Sequence, residues 1–174
     1  MSLKPKPAQN SFTILTELVL PNDTNTLGNL MGGRLLHWMD IAAAICAQKH
    51  SQRVVVTASV NNVSFDQPIR LADVITLEAK VSRAFSTSME VFIDVWVENL
   101  STGKKIKCNE AIYTFVAVDQ LGNPINVPAV IPESEEEKKR YEGAMRRRQL
   151  SLILAGKMKP EDANELKALF GVGK

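Results

Sequence analysis

Histidine is scarce in this 174-residue chain, with only His37 and His50. Cysteine is equally scarce. Cys46 and Cys108 do not form a Cys-x-x-Cys pair, which argues against a zinc site built on them. Two such cysteines fit a reducing compartment, with one disulfide as the alternative. No H-E-x-x-H, G-x-S-x-G or G-x-x-x-x-G-K-[ST] motif is present. No metal is therefore expected, and neither histidine has a nucleophile beside it in sequence. Both read as structural or surface residues. Long apolar runs are missing too: none approaches the roughly 18 residues of a membrane helix. MSLKPKPAQN has two lysines but no apolar segment behind them, so no secretory signal is expected. The expected location is the cytoplasm. Lys+Arg 21 against Asp+Glu 19 leaves a net charge of +2, which calls for no nucleic acid.

What is present is enough apolar residue, 45%, to build a core. Residues 1–10 carry two prolines and no periodicity, and read as a flexible arm. SFTILTELVL (11–20) reads as a strand, and PNDTNTLGN as a loop. From Leu30 to His50 apolar residues recur at spacings of three and four, which predicts a helix. Trp38, Ile41 and Ile45 lie off the main stripe, so this helix is apolar all round and is expected to be buried on most sides. Strands are expected over 53–65 and then over three alternating segments: Ile75 to Val81, Met89 to Val97 and Ile106 to Val118. Period two with short turns reads as an antiparallel meander. The fold class is α+β, one long buried helix wrapped by an antiparallel sheet. After DQLGNPINVP the character changes. The domain is expected over 11–132 and a helical C-terminal extension over 133–174. Its first helix follows Pro132 with acids first and bases last, and a short helix starts near Pro160.

Asp40 is the most informative residue. A lone carboxylate in an apolar helix is costly to bury without a partner. It marks either a functional site or a structural pairing, for which Arg34 is the candidate. Asn25-Thr-Leu-Gly28-Asn29-Leu-Met-Gly32-Gly33 leads into the helix. Glycines allow close approach of a ligand, and free N–H groups at a helix start attract negative charge. The same glycines also serve turns. At ~100° per residue Gly33, Leu36, Asp40 and Ala44 share one face.

The chain resembles the hotdog-fold acyl-CoA thioesterases, in the YciA and brain acyl-CoA hydrolase branch. The matching stretches are P-N-D-T-N-T-L-G-N-L-M-G-G-R-L-L-H-W-M-D (21–40), V-V-T-A-S-V (55–60), F-D-Q-P-I (65–69), T-S-M-E-V (87–91), T-F-V-A-V-D (114–119) and V-P with P-E-S-E-E-E-K-K-R-Y (127–141). The resemblance implies a hotdog fold and hydrolysis of fatty acyl-CoA to free acid and CoA. It implies that Asp40 is the essential carboxylate, acting as general base or as nucleophile. Asn25, from the opposite subunit, would orient the water or the thioester. Backbone N–H groups near Gly32 and Gly33 would hold the oxyanion. Thr57, Ser59, Ser86, Thr87 and Ser88 are the expected polar contacts to CoA. No cofactor is implied, since CoA is part of the substrate and a product. The site needs two units, so a homodimer at minimum is expected, and a homohexamer built as a trimer of dimers. Met31 stands where many relatives have His or Phe, and residues from 151 onward lie outside the pattern.

Two other readings compete. One is a non-catalytic acyl-CoA-binding hotdog module. The other is a hotdog dehydratase or hydratase, for which His37 lies three residues before Asp40.

Overall fold

The computed structural model describes residues 3–171 apart from 62, 64 and 66. The chain divides into two compact units, Met1–Ile131 and Pro132–Lys174. In the first unit, β1 (Lys6–Pro7), a 3-10 turn (Ala8–Ser11) and β2 (Thr13–Leu18) precede α1 (Gly32–Ser51). Then come β3 (Val54–Asn61), β4 (Asp73–Ala84), β5 (Ser88–Asn99), β6 (Lys104–Val118) and β7 (Val130–Ile131). The main sheet has the order β2-β4-β5-β6-β3, antiparallel throughout. This is the expected helix-on-sheet α+β architecture.

Alternation decides which face carries the helix. Ile75, Leu77, Ala79 and Val81 of β4 are buried, as are Met89, Val91, Ile93 and Val95 of β5. Ala111, Tyr113, Phe115 and Ala117 complete the row on β6. Each set is every second residue of its strand, so all point to one side. Against them α1 presents Leu35, Met39, Ala42, Ala43, Cys46 and Ala47. Three of these six are alanine, which lets the helix axis come close to the sheet.

Two expectations need correction. Helix α1 is buried along one broad side, which takes in Trp38, and open along the remainder. Leu36 and Ala44 are half-buried, and Ile41 and Ile45 are exposed. One twisted five-stranded sheet covers one flank of a helix, and the opposite apolar stripe is left open. Nor is the N-terminal segment loose from Lys6 onward. Lys6 and Pro7 pair in parallel with Val130 and Ile131. The Lys6 ammonium donates to the His50 carbonyl at 2.8 Å, satisfying an end-of-helix acceptor. Ser11 Oγ accepts from the Val81 N–H at 2.9 Å, deep in the fold. Proline lacks periodicity as a signal but suits an edge strand.

In the second unit, α2 (Glu135–Leu154) starts with a capping box. Ser134 Oγ accepts from the Glu137 N–H, and Glu137 accepts from the Ser134 N–H. Arg146–Arg148 fall in mid-helix, because α2 runs past them to Leu154. A 3-10 turn (Pro160–Asp162) and α3 (Asn164–Leu169) follow, and Gln149 accepts from the Leu166 N–H at 2.8 Å. The part of the expected 53–65 strand that falls on 62 and 64 lies outside the described residues.

His50 sits at the end of α1 with no exposed surface. Its Nε2 lies 2.8 Å from the Pro128 carbonyl. A carbonyl only accepts, so Nε2 carries the hydrogen and Nδ1 bears a lone pair. Nδ1 is buried and meets no partner among the described residues. Burial first, then the nearby Lys6 charge, hold His50 below its ordinary 6.5. Below about pH 6.5 the unfolded chain binds a proton there and the folded chain does not, so stability rises with pH in that range. Urea unfolding should therefore show stability retained at about pH 7.5 and reduced at about pH 5. His50→Gln keeps a donor for Pro128 and cannot charge, so it should flatten that acid-side loss.

Candidate active site

The first part of the site is the loop before α1. The Asn25 Oδ1 accepts from the Leu27 N–H at 2.9 Å and from the Asn29 N–H at 3.2 Å. The Asn25 N–H donates to Asn29 O, and the Gly28 N–H donates to Asn25 O. Gly28 has φ +72, which a side chain would resist. Asn25 is exposed, and its oxygen is spent inside the loop. What it presents outward is a pair of N–H donors.

Asp23 ties this loop to the helix. Its Oδ2 accepts from the Leu20 N–H at 3.0 Å, and its Oδ1 pairs with Arg34 Nε at 2.9 Å. Its carbonyl accepts from the Met31 N–H. Arg34 is therefore paired with buried Asp23, which decides against Arg34 as the structural partner of Asp40. In the first turn of α1, Arg34 and Leu35 donate to Met31 O. The N–H groups of Gly32 and Gly33 have no backbone acceptor among the described residues.

The second part is the middle of α1. Asp40 is half-buried, and its Oδ1 accepts from Thr57 Oγ1 of β3 at 2.8 Å. Among the described residues no hydrogen bond reaches Oδ2. Tyr113 of β6 donates its hydroxyl to Leu36 O at 3.2 Å. Leu36 O is also the helical acceptor for the Asp40 N–H, so the Tyr113 hydroxyl anchors the turn that carries Asp40. Burial and then the negative charge of Asp40 push the Tyr113 phenol up to about 12. Tyr113 stacks on Phe115, and Phe115 is the register partner of Thr57.

The expected CoA contacts do not stay together. A bulge interrupts β3 between Thr57 and Ser59. Thr57 pairs with Phe115 on the helix face of the sheet, whereas Ser59 pairs with Thr114 on the opposite face. The extra residue, Ala58, breaks the period-two rule that would have placed both side by side. Ser86 and Thr87 lie in the β4–β5 turn, exposed and half-exposed. Ser88 begins β5 opposite Val116 and is buried. Thr57 thus belongs with Asp40, and Ser59 and Ser88 are not on its surface.

Beside the helix start is a cavity of about 350 Å³, with Leu30, Gly32, Leu35, Phe65, Pro68 and Ile69 in its wall. Among the described residues no three His, Cys, Asp or Glu side chains converge as metal ligands, and no helix is long and apolar enough to cross a membrane.

This geometry has known counterparts. Residues 27–104 match the Thioesterase superfamily. The chain is 40% identical over 139 residues to the uncharacterized acyl-CoA thioester hydrolase YkhA of Bacillus subtilis, covering 80% of this chain and 81% of that protein. The chain belongs to the hotdog-fold acyl-CoA thioesterases. Its backbone matches an apo-hexameric acyl-CoA thioesterase with a TM-score of 0.85 at 42% identity, covering 88% of this chain and 98% of the other. It also matches the acyl-CoA hydrolase of Staphylococcus aureus solved with butyryl coenzyme A, coenzyme A and coenzyme A disulfide. There the TM-score is 0.80 at 36% identity, with 87% and 94% coverage. Asn→Ala, Asp→Ala and Thr→Ala variants of that hydrolase have been solved, at positions 15 and then 17 residues apart. Asn25, Asp40 and Thr57 are separated by the same intervals.

Sequence reasoning missed Asp23, Tyr113 and the role of Thr57. For Asp23 a signal existed, since an Asp ahead of a Gly-rich helix start is a turn former. For the other two it did not, because both depend on strand register. Replacing Asp23 by Ala leaves the Leu20 N–H and the Arg34 guanidinium without their acceptor. Chemical unfolding should show a loss of about 1–3 kcal/mol, with Asp23→Asn losing less.

Proposed function

We propose that the chain hydrolyses the thioester of acyl-CoA, at a site made by Asp40 and Thr57 of one copy and Asn25, Gly32 and Gly33 of another. The observation that carries this reading is the lone carboxylate of Asp40, fixed through one oxygen by Thr57 and without a partner at the other among the described residues. A carboxylate so held has one lone-pair edge aimed at a single reacting partner.

The thioester carbonyl sits at the start of α1, where the Gly32 and Gly33 N–H groups and the helix dipole stabilise negative oxygen. The outward N–H groups of Asn25 donate to the carbonyl or to the attacking water. As general base, Asp40 takes a proton from water as the hydroxide oxygen bonds to the carbonyl carbon. The tetrahedral oxyanion collapses, the C–S bond breaks, and the thiolate of CoA takes the proton from Asp40. As nucleophile, Asp40 would itself displace CoA, and water would cleave the resulting mixed anhydride. Both routes use the free Oδ2, and neither calls on a cofactor beyond substrate and water.

The need for a second copy has two supports. Gly32 and Asp40 are eight residues apart on one helix, about 12 Å along its axis. One thioester does not reach both ends of that span. The open stripe of Leu36, Ile41, Ala44 and Ile45 and the open edge β3, where Val54, Val56 and Val60 are exposed, form adjoining apolar surfaces suited to the same surfaces of a twin. Hexameric relatives support three such pairs per assembly. Two free cysteines, Cys46 buried with its thiol pushed up to about 12, agree with a cytoplasmic setting.

The direct test is thiol release from a panel of acyl-CoA esters. Asp40→Ala should fold and lose about 10²–10⁴-fold in turnover. Thr57→Val should lose about tenfold by removing one hydrogen bond to a carboxylate. Full turnover in a folded Asp40→Ala protein overturns the mechanism. Absence of release from any ester, with folded protein, favours an acyl-CoA-binding module instead. Subunit sharing has its own readout. Asp40→Ala and Asn25→Ala proteins, each inactive, are mixed by co-refolding. Half of the random pairs are mixed, and each holds one intact site, so about one quarter of native activity should return. No recovery means that both residues serve a site within one chain.

A further inference from the structure

The cavity at the start of α1 is separate from the Asp40–Thr57 pair and has a defined shape. Leu30, Leu35, Phe65, Pro68 and Ile69 make its apolar wall, Gly32 adds bare backbone, and Asn29 and Gln67 add polar groups. Leu35 and Ile69 are buried, whereas Phe65 is 53% exposed. At about 350 Å³ the cavity sits at the small end of the range for ligand pockets, roughly 300–1,000 Å³. Gly32, whose N–H lacks a backbone acceptor among the described residues, is part of its wall.

The Phe65 ring spans from the segment after β3 to the first turn of α1. A Cβ added to Gly32 would lie 3.2 Å from Phe65 Cζ, and 3.4 and 3.5 Å from the two Cε atoms. The tip of the ring thus rests on the bare backbone of Gly32. The three atoms nearest to that position all belong to Phe65, which also lines the cavity. Met31, the departure noted in the sequence, caps the helix without lining this space.

We propose that this cavity takes the acyl chain of the substrate and that Phe65, braced on Gly32, sets the chain length it accepts. The proposal rests on the thioesterase reading, since a carbonyl held at Gly32 and Gly33 delivers its apolar tail to the adjoining wall. Each methylene buried there strengthens binding by about fourfold. Growth in affinity stops where the chain meets the Phe65 ring. Beyond that length the tail lies in solvent or displaces the ring.

The experiment compares native protein and Phe65→Ala on butyryl-, octanoyl-, lauroyl- and palmitoyl-CoA, following thiol release. Phe65 is more than half exposed, so its truncation leaves the fold standing, which circular dichroism checks. The ratio of kcat/KM for lauroyl-CoA to that for butyryl-CoA should rise at least about tenfold in Phe65→Ala, through KM. This corresponds to two or more methylenes newly buried. A ratio within about twofold of native overturns the proposal. A parallel arm measures affinity by calorimetry for the same esters in Asp40→Ala and Asp40→Ala/Phe65→Ala proteins. The same shift in ratio is expected there. It is read even if no ester is turned over, so failure of hydrolysis and failure of the chain-length assignment give different results.

Discussion

The structure depends on one imbalance: an apolar helix of 20 residues packed under a sheet that covers one of its flanks. Buried Leu35, Met39, Ala42, Ala43, Cys46 and Ala47 account for the sheet side. Leu36 and Ala44 are half-buried and Ile41 and Ile45 exposed, and half-buried Asp40 lies on that flank. A carboxylate at that place is tolerable because half of it still meets solvent and Thr57 satisfies one oxygen. Sealing the stripe with a second apolar surface would withdraw the remaining water. The carboxylate would then gain strength from lower dielectric and lose its solvent partners together. In the proposed site the open flank and the Asp40 carboxylate are one feature, since a second copy that closed the first would complete the second.

The parts around Asp40 divide labour by element. The helix fixes its height. Tyr113 fixes the helix, through a carbonyl that already takes the Asp40 N–H. Thr57 fixes the rotation of the carboxylate, and the bulge at Ala58 lets β3 deliver Thr57 inward while turning the next polar residue outward. At the helix start the loop spends the Asn25 oxygen on itself and turns its amide into a donor. In the proposed site the Asp40 half therefore offers a lone pair and the Asn25 half offers N–H groups. That polarity matches a reaction in which a proton leaves one reactant while negative charge builds on another.

Much of this was legible in residue order. Alternation from Ile75 to Val118 marks three paired strands and tells which side of each is buried. Asp40 stands out because an apolar helix with one carboxylate breaks its own pattern. Other features were illegible for physical reasons. Thr57 and Ser59 look equivalent two residues apart, and only the bulge separates them. The pairing of Arg34 with Asp23 spans a loop whose path no periodicity encodes. The anchoring of residues 6–11 comes from Lys6 reaching the end of α1 and Ser11 reaching β4, both contacts between segments far apart in sequence. Burial on most sides of α1 was expected, but an all-apolar helix does not say whether its cover lies in the same chain.

The paired glycines carry the last step. Gly32 has a reason within the chain, because a Cβ there would press on the Phe65 ring. Gly33 has none. A Cβ on it would meet nothing within 4 Å, and its backbone is not in the left-handed region. Glycine within a helix costs roughly 0.5–1 kcal/mol against alanine, even if less in the first turn. No contact among the described residues offsets that cost. A surface approaching from outside does, whether the carbonyl of a substrate or the backbone of a second copy, because either needs the bare amide that a methyl group would cover. The unused space at Gly33 thus faces the same way as the unused stripe along α1. Both are explained by an occupant that the single chain does not contain.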